Sequence, residues 1–479
     1  MTSPVETVIR GAVTQGVMAI ANFNRQHRRS KSENPFLTGI HTPVTRELTD
    51  TDLRVSGTIP AGLNGLYVRN GPNPLQKVNP ATHHWFTGDA MLHGVRLEGG
   101  KALWYRNRWI RSNAVSDVLG EPRAPGPRNP RSDNPNTNIV GHAGKIWAIV
   151  EAGGYPVEVS EELETRAHTD LDGLIGEAFS AHPHYDPDTG EMHAICYNPL
   201  NPATIWHTVI DASGNVIRRE PVPVQNGPMI HDCMITPRYV IILDLPVTFS
   251  MASMLQGVSL PYRWNPKHEA RIGLLPRDGK AEDIIWCAVD PCFIFHPSNA
   301  FETQDGKVVM DACVYETMFD TDARGPDTTG SRFERLRIDP AAGRVTREVI
   351  DAAPQEFPRF DERLTGKPYR FAYVVALPPG GDAAYLSETR LFKHDLAEGQ
   401  REVHDFGPGR VPGEFVFVPA RPDAAEDEGW LIGYVADTNT EQTELVILDA
   451  RDFEGAAVAR VHIPSPIPPG FHGNFLPLA

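Results

Sequence analysis

Four of the 18 histidines differ from the rest in context: Ala181-His182-Pro183, Ile230-His231-Asp232, Phe295-His296-Pro297 and Phe471-His472-Gly473. Each stands where an apolar or β-branched run meets a small or rigid residue, as a strand meets a loop. Neutral imidazole is a common ligand for divalent first-row metals. The four are too far apart in sequence to share one helix or hairpin. A common metal would therefore need separate elements, each sending one ligand to a shared axis. Such wide spacing carries no specificity by itself, and a histidine taken singly is usually an ordinary core or surface residue.

The elements that must do this positioning read as strands. The chain has 41 Gly and 43 Pro in 479 residues, spread throughout, which favours many short strands and tight turns over long helices. Short β-branched runs such as Lys145–Val150 and Tyr239–Leu243 are bounded by turn residues. Hairpin-type turns recur at Asp186–Gly190, Ala212–Asn215, Gln304–Gly306 and Pro379–Asp382. The fold class is all-β. Four-stranded sheets in series fit a propeller, which buries its sheets with few exposed edges. No blade signature repeats, so periodicity alone leaves sandwich and propeller both open.

Two segments depart from this texture. Ile9, Val13, Val17 and Ile20 fall on one face of a helix over about residues 4–23, followed by Arg25, Arg28, Arg29 and Lys31. That face either docks on the protein itself or lies on an anionic membrane with the basic cluster at the head groups. Residues 245–264 carry Phe249, Met251, Met254 and Leu255 with almost no charge. They form either a loop folded on the core or an apolar patch for membrane or substrate. The expected organisation is 1–33 as an amphipathic helix with a basic segment, then 34–479 as a single catalytic propeller domain.

Composition excludes some functions. A formal net charge of −16 opposes nucleic-acid binding, which depends on clustered cations. Five cysteines with no Cys-x-x-Cys pair leave at least one unpaired and point to a reducing, cytoplasmic compartment. No run of about 18 apolar residues spans a bilayer, and the N-terminal order of apolar then basic residues is not that of a secretory signal.

The four histidine stretches resemble the iron-binding stretches of the carotenoid cleavage oxygenase family, which also includes lignostilbene dioxygenases and a retinoid isomerohydrolase. They run as Ala181-His-Pro-His-Tyr-Asp-Pro-Asp-Thr-Gly-Glu-Met-His193, Met229-Ile-His-Asp-Cys-Met-Ile-Thr236, Phe295-His-Pro-Ser-Asn-Ala-Phe-Glu302 and Gly470-Phe-His-Gly-Asn-Phe475. The resemblance extends through Tyr67–Pro74, His84–Gly94, Tyr105–Trp109 and Asn136–Asn138, so it covers almost the whole chain.

The resemblance implies a seven-bladed β-propeller with one Fe(II) per chain on its axis, under a cap of loops and short helices enclosing an apolar tunnel. It implies His182, His231, His296 and His472 as ligands. It also implies Glu151 orienting His231, Glu356 orienting His296 and Glu414 orienting His472, with no carboxylate for His182. The implied reaction is dioxygen-dependent cleavage of a carbon–carbon double bond in an apolar polyene to two carbonyl products. Stilbene-cleaving relatives carry a Lys before the first of these glutamates that binds the substrate phenol. Val150 stands there, which favours a carotenoid or apocarotenoid over a phenolic stilbene. Trp109 and Phe319 are candidate tunnel aromatics alongside Val150; for both aromatics, plain core packing is the alternative.

Three rivals remain to be weighed. His182-Pro-His184-Tyr-Asp186 has the opening of a zinc-hydrolase motif but lacks its following His, Pro187 standing there. A propeller used as a binding scaffold would have no need of all four histidines. An isomerohydrolase would keep the iron and change the products.

Overall fold

The structure is a computed structural model that describes residues 4–29, 33–129, 132–320, 324–327, 330–380 and 385–477, with side chains of the first helix described from Gly16 onward. Its strands follow the chain as a series of antiparallel meanders. Asn138–His142, Lys145–Ile149, Val157–Val159 and Thr165–His168 form one four-stranded sheet. His184–Tyr185, Met192–Tyr197, Thr204–Ile210 and Val216–Pro223 form the next, and Gln355–Arg359, Phe371–Ala376, Arg390–Asp395 and Gln400–Asp405 a third. Between the second and third lies an eight-stranded sheet of two meanders, beginning at Cys233–Ile235 and at Phe293–Glu302. They are joined by a single parallel pair, Ala288 with Arg344.

The opening strands of successive sheets lie side by side. Cys233–Ile235 contacts Phe293–Glu302, which contacts Gln355–Arg359, while Gly473–Pro477 touches both Val416–Pro419 and Asn138–His142. The fold is therefore all-β and propeller-like. Strands sandwiched between neighbouring sheets are buried on both faces, so Met192–Tyr197 and Val308–Tyr315 are buried without alternation and are mostly apolar, with His193 and Asp311 as the exceptions.

The ends of the chain close the ring. Gly65–Pro72 pairs with Gly473–Pro477, setting Tyr67 opposite Phe475 and Arg69 opposite Gly473, and Val55–Gly57 pairs with Ala459–Ile463. The Asn70-Gly71 corner fastens the last histidine. Asn70 N–H donates to His472 O at 3.0 Å, and Asn70 O accepts from Phe471 N–H at 3.1 Å. The Asn70 amide also donates to Pro135 O and Asn138 O. A Cβ on Gly71 would lie 2.6 Å from Gly470 Cα. This close backbone approach explains the Arg-Asn-Gly-Pro motif.

The two irregular segments form a unit. The first helix spans Pro4–His27, and the 245–264 segment is a hairpin, Val247–Phe249 with Tyr262–Trp264, carrying a short helix Met251–Leu255. Asn24 Nδ2 donates to Leu255 O at 2.6 Å, and Asn79 Nδ2 donates to Arg25 O at 2.9 Å. The docked residue is Ala21, 1% exposed, rather than Ile20, which is 53% exposed; Val17 is half-buried. The difference follows from close helix approach, which a small side chain permits. Met254 is buried and Met251 exposed, so residues 245–264 are partly core and partly surface. The side chains of Ile9 and Val13, and Lys31 altogether, lie outside the described residues, as do Gly381 and Asp382 of the Pro379–Asp382 turn. The other three predicted turns join adjacent strands. No described helix is long and apolar enough to cross a membrane.

Gly71→Ala must push the Gly470-Phe471-His472 backbone away. We expect a loss of about 1–3 kcal/mol in denaturant unfolding, the usual cost of forcing atoms into a packed site, with weakened binding of any ligand held by His472.

Candidate metal centre

The structure brings His182, His231, His296 and His472 together, with one ring nitrogen of each lying within 4.8 Å of all the others. Each arrives by the same device, at or just before the innermost strand of a sheet. His182 precedes His184–Tyr185, His231 precedes Cys233–Ile235, and His472 precedes Gly473–Pro477. His296 lies inside Phe293–Glu302, where the register shifts between Ile294 and Pro297. A bulge of this kind re-aims a side chain that regular pleating would point elsewhere. All four imidazoles are buried.

Three of the rings are held from behind by the expected glutamates. His231 Nδ1 lies 2.8 Å from Glu151 Oε1, His296 Nδ1 2.6 Å from Glu356 Oε2, and His472 Nδ1 3.0 Å from Glu414 Oε1. A carboxylate accepts, so each Nδ1 carries the proton and each Nε2 presents a bare lone pair. His231 Nε2 and His296 Nε2 are 3.2 Å apart. Two lone pairs cannot hydrogen-bond to each other, and a cation between them resolves the repulsion. His182 Nε2 is buried with no hydrogen-bond partner. Metal–imidazole bonds of about 2.0–2.1 Å put opposed nitrogens about 4 Å apart, so the cluster fits one divalent ion with little adjustment.

Electrostatics agree. Burial, reinforced by the neighbouring imidazoles, holds His182 and His296 well below the ordinary histidine range, keeping them neutral as ligands must be. Burial pushes the Glu356 carboxyl well above the carboxylate range, the Phe357 N–H opposing and the charges of Asp232 and Glu414 adding. A dication in the cluster would supply the missing countercharge. Burial also opposes ionisation of Glu414, but Arg359, His472 and the Gly473 N–H together hold it below its usual value. Two non-glycine residues directly after the glutamates, Ala152 and Phe357, have φ of 60° and 59°. Such backbone costs about 1–3 kcal/mol and persists where its surroundings enforce it.

Sequence reasoning missed four supporting groups. Tyr197 donates its hydroxyl to Glu151 Oε2 at 2.6 Å. Arg359 joins Glu414 Oε1 at 3.5 Å and Asn474 Oδ1 at 2.7 Å. Phe357 stacks on His296, ring centroids 5.4 Å apart. Asp232 Oδ1 pairs with His184 Nε2 at 2.8 Å, and its other oxygen lies 3.8 Å from His182 Nδ1. His182 was expected to have no carboxylate partner; Asp232 stands 3.8 Å from its Nδ1, beyond hydrogen-bond distance. The adjacency of Asp232 to His231 was the available signal.

The cluster lies between two cavities. An apolar one of about 160 Å³ is walled by Phe86, Val150, Leu260, Phe295, Tyr385 and Phe471 and reaches His231, His296 and His472. Val150 lines it as expected. Phe319 stands one layer back, against Phe86 and Phe295 at 6.3 and 5.9 Å between centroids. Trp109 corrects the expectation: its indole packs with Met91 and Val115 and donates to Asn73 O, away from the cavity, because its strand lies toward the outside of its sheet. The second cavity, about 970 Å³, is the more polar of the two, its wall mixed in character, and reaches His182, His296 and His472. The zinc-hydrolase rival fails here. The fold is all-β, and Asp186 is turned to Arg277 at 2.5 Å rather than to the histidines.

Fold and site together define a propeller-like protein with a four-imidazole metal-binding constellation. The chain belongs to the retinal pigment epithelial membrane protein family, whose profile matches residues 41–477. It is 42% identical to a carotenoid cleavage oxygenase of Mycobacterium tuberculosis, covering 94% of this chain and 98% of that one. It is 30% identical to an apocarotenoid-15,15'-oxygenase of Synechocystis, covering 88% and 92%. Among solved structures, a cobalt-substituted Synechocystis apocarotenoid oxygenase superposes with a TM-score of 0.79 at 28% identity over 91% of this chain and 97% of that one. A Pseudomonas brassicacearum lignostilbene dioxygenase shares the fold at a TM-score of 0.83 and 24% identity, covering 94% and 100%.

Loss of a group that orients a metal-bound imidazole typically weakens metal binding about 10–100-fold. Glu414→Gln is therefore expected to weaken Co(II) binding by that factor in an equilibrium titration, and His296→Ala to abolish it.

Proposed function

We propose that this chain is a non-haem Fe(II) dioxygenase that cleaves a carbon–carbon double bond of a carotenoid or apocarotenoid to two carbonyl products. His182, His231, His296 and His472 would hold one iron per chain, with Glu151, Glu356 and Glu414 fixing three of the rings. The observation that carries this is the convergence of four neutral imidazoles, bare nitrogens inward, at the end of an apolar cavity. Bound Fe(II) with open coordination positions supplies the means of activating dioxygen.

The protein's own contribution is placement. The walls of the apolar cavity hold an alkene beside the ligands and exclude water, and fixing one bond of a polyene there selects it by orientation alone. No acid or base side chain is required at the reacting atoms. Tyr197 and Glu151 stiffen His231, Arg359 and Glu414 stiffen His472, and the strained turn at Phe357 sets Glu356 behind His296. Val150 offers no charge to a phenol, which favours an apolar polyene; stilbene cleavage by the same site is the second reading, suggested by the fold shared with the lignostilbene enzyme.

On this reading the eight-stranded sheet would count as two blades of a seven-bladed wheel, and the first helix and the 245–264 hairpin would be part of a cap. Residues 1–33 would then be an appendage to a catalytic unit of 34–479. Met18, Ile20, Phe23 and Met251 are 41–60% exposed, which supports peripheral membrane contact from a cytoplasmic location at this edge.

Anaerobically purified, Fe(II)-loaded protein given β-carotene, an apocarotenal or a hydroxystilbene and then dioxygen should yield paired carbonyl products from a polyene, identified by mass. His296→Ala should yield none. Turnover of the hydroxystilbene with no polyene cleaved would overturn the substrate assignment, and products without oxygen from dioxygen would point to isomerohydrolase chemistry. Deletion of residues 1–33 should weaken liposome binding severalfold while turnover of detergent-solubilised substrate persists; unchanged binding would return the helix to a purely structural role.

A further inference from the structure

The two cavities differ in what they can admit. The wall of the smaller one is mostly aromatic and aliphatic. A hydrated dication passing through it would shed water with few groups to replace it, and desolvating an unpaired charge in an apolar medium is costly. The larger cavity is lined at the protein surface by the exposed Glu161 and Glu162 with the half-buried Glu158, and in the interior by the buried His142 and Asp232, the half-buried His184, and His182, His296 and His472. Oxygen and nitrogen donors thus recur along its length.

Charge along this channel favours a cation. The three carboxylates at the mouth are followed by Asp232, Glu362 and Glu414, against Lys145, Arg166 and Arg359. Lys145 pairs with Glu158 at 3.0 Å, Arg106 with Glu162, and Arg359 with Glu362 at 2.9 Å and with Glu414, so Glu161 at the mouth and Asp232 at the inner end carry the excess of negative charge. At the inner end, His184 and Asp232 bring ligand atoms within 4.8 Å of each other, together with Cys233. Asp232 is buried, held by His184 and the Cys233 N–H at 2.6 Å, and its second oxygen faces His182 at 3.8 Å. His184 and Asp232 line the cavity, whereas the Cys233 thiol is turned to His182 O at 3.9 Å, so the donors available to a passing ion are the His184 imidazole and the Asp232 carboxylate.

We infer that the polar channel is the route by which a hydrated divalent cation reaches the four imidazoles, with Glu161 and Glu162 gathering it and the His184–Asp232 pair as its last foothold before the ligands. This rests on reading the four histidines as a metal site. It divides the molecule by face: metal enters through the polar cavity, and apolar substrate occupies the other.

The test uses the full chain stripped with a chelator, and follows aqueous Co(II) uptake and release by stopped-flow absorbance. Glu161→Lys with Glu162→Lys reverses charge at two exposed mouth positions. It should slow uptake roughly tenfold at low ionic strength, with the effect fading in salt. Ala212→Trp, on an exposed hairpin turn at the mouth, should slow uptake and release by the same factor and leave equilibrium affinity unchanged, as an obstructed path does and a damaged ligand set does not. Leu260→Trp, which fills the apolar cavity, should leave both rates unaltered. Unchanged rates in both mouth variants, or slowing by Leu260→Trp instead, would overturn the route while leaving the metal site standing. Failure of the wild-type protein to bind Co(II) in a way that His296→Ala abolishes would remove the metal reading itself, and the route with it.

Discussion

Four imidazole nitrogens face one another in a buried space too small for their lone pairs to ignore. The 3.2 Å separation of His231 Nε2 and His296 Nε2 is the sharpest expression of this, because both rings have committed their protons to glutamates behind them. A shared cation removes that repulsion and makes the four rings one ligand set. The rest of the molecule is arranged to keep the rings from relaxing apart. Each is set at the inner edge of a different meander, so that separating two of them requires moving whole meanders.

That constraint explains why polar effort is concentrated near the axis. Buried carboxylates are costly unless paired, yet Glu356 and Glu414 are both sealed inside. Glu414 is compensated by Arg359 and Gly473, whereas Glu356 has one oxygen without a partner and depends on charge at the metal position. The two should therefore respond differently to metal removal, Glu356 being the one whose ionisation is tied to occupancy. Ring closure serves the same end. The Asn70-Gly71 corner, built from the beginning of the chain, grips the backbone of His472 at its end, so the last ligand is fixed only when the ring is complete.

Much of this was legible in the sequence, through different kinds of signal. Gly and Pro punctuation gave β content because turn chemistry is local, and three of the turns proposed on that basis join adjacent strands. The histidine contexts gave the ligand set only through resemblance; nothing in their spacing reveals that they converge, since convergence is a property of sheet order. The glutamates came the same way. Tyr197 and Arg359 were invisible because their roles depend on distances between residues far apart in sequence, and Asp232 was signalled only by its adjacency to His231. Trp109 was misplaced because an aromatic on a strand gives no sign of which end of its sheet it occupies. Helical periodicity identified the apolar face that carries Ile20 without saying whether it docks or faces outward, or that close packing would choose Ala21 on a neighbouring face.

The central claim is that the four Nε2 atoms share one metal ion. Anomalous diffraction at the iron edge from crystals of Fe(II)-loaded protein tests it directly. The account predicts a single strong peak about equidistant from His182, His231, His296 and His472, with no comparable peak elsewhere in the chain. A peak at His184 and Asp232 instead, or iron content in solution with no peak among the four rings, would contradict it.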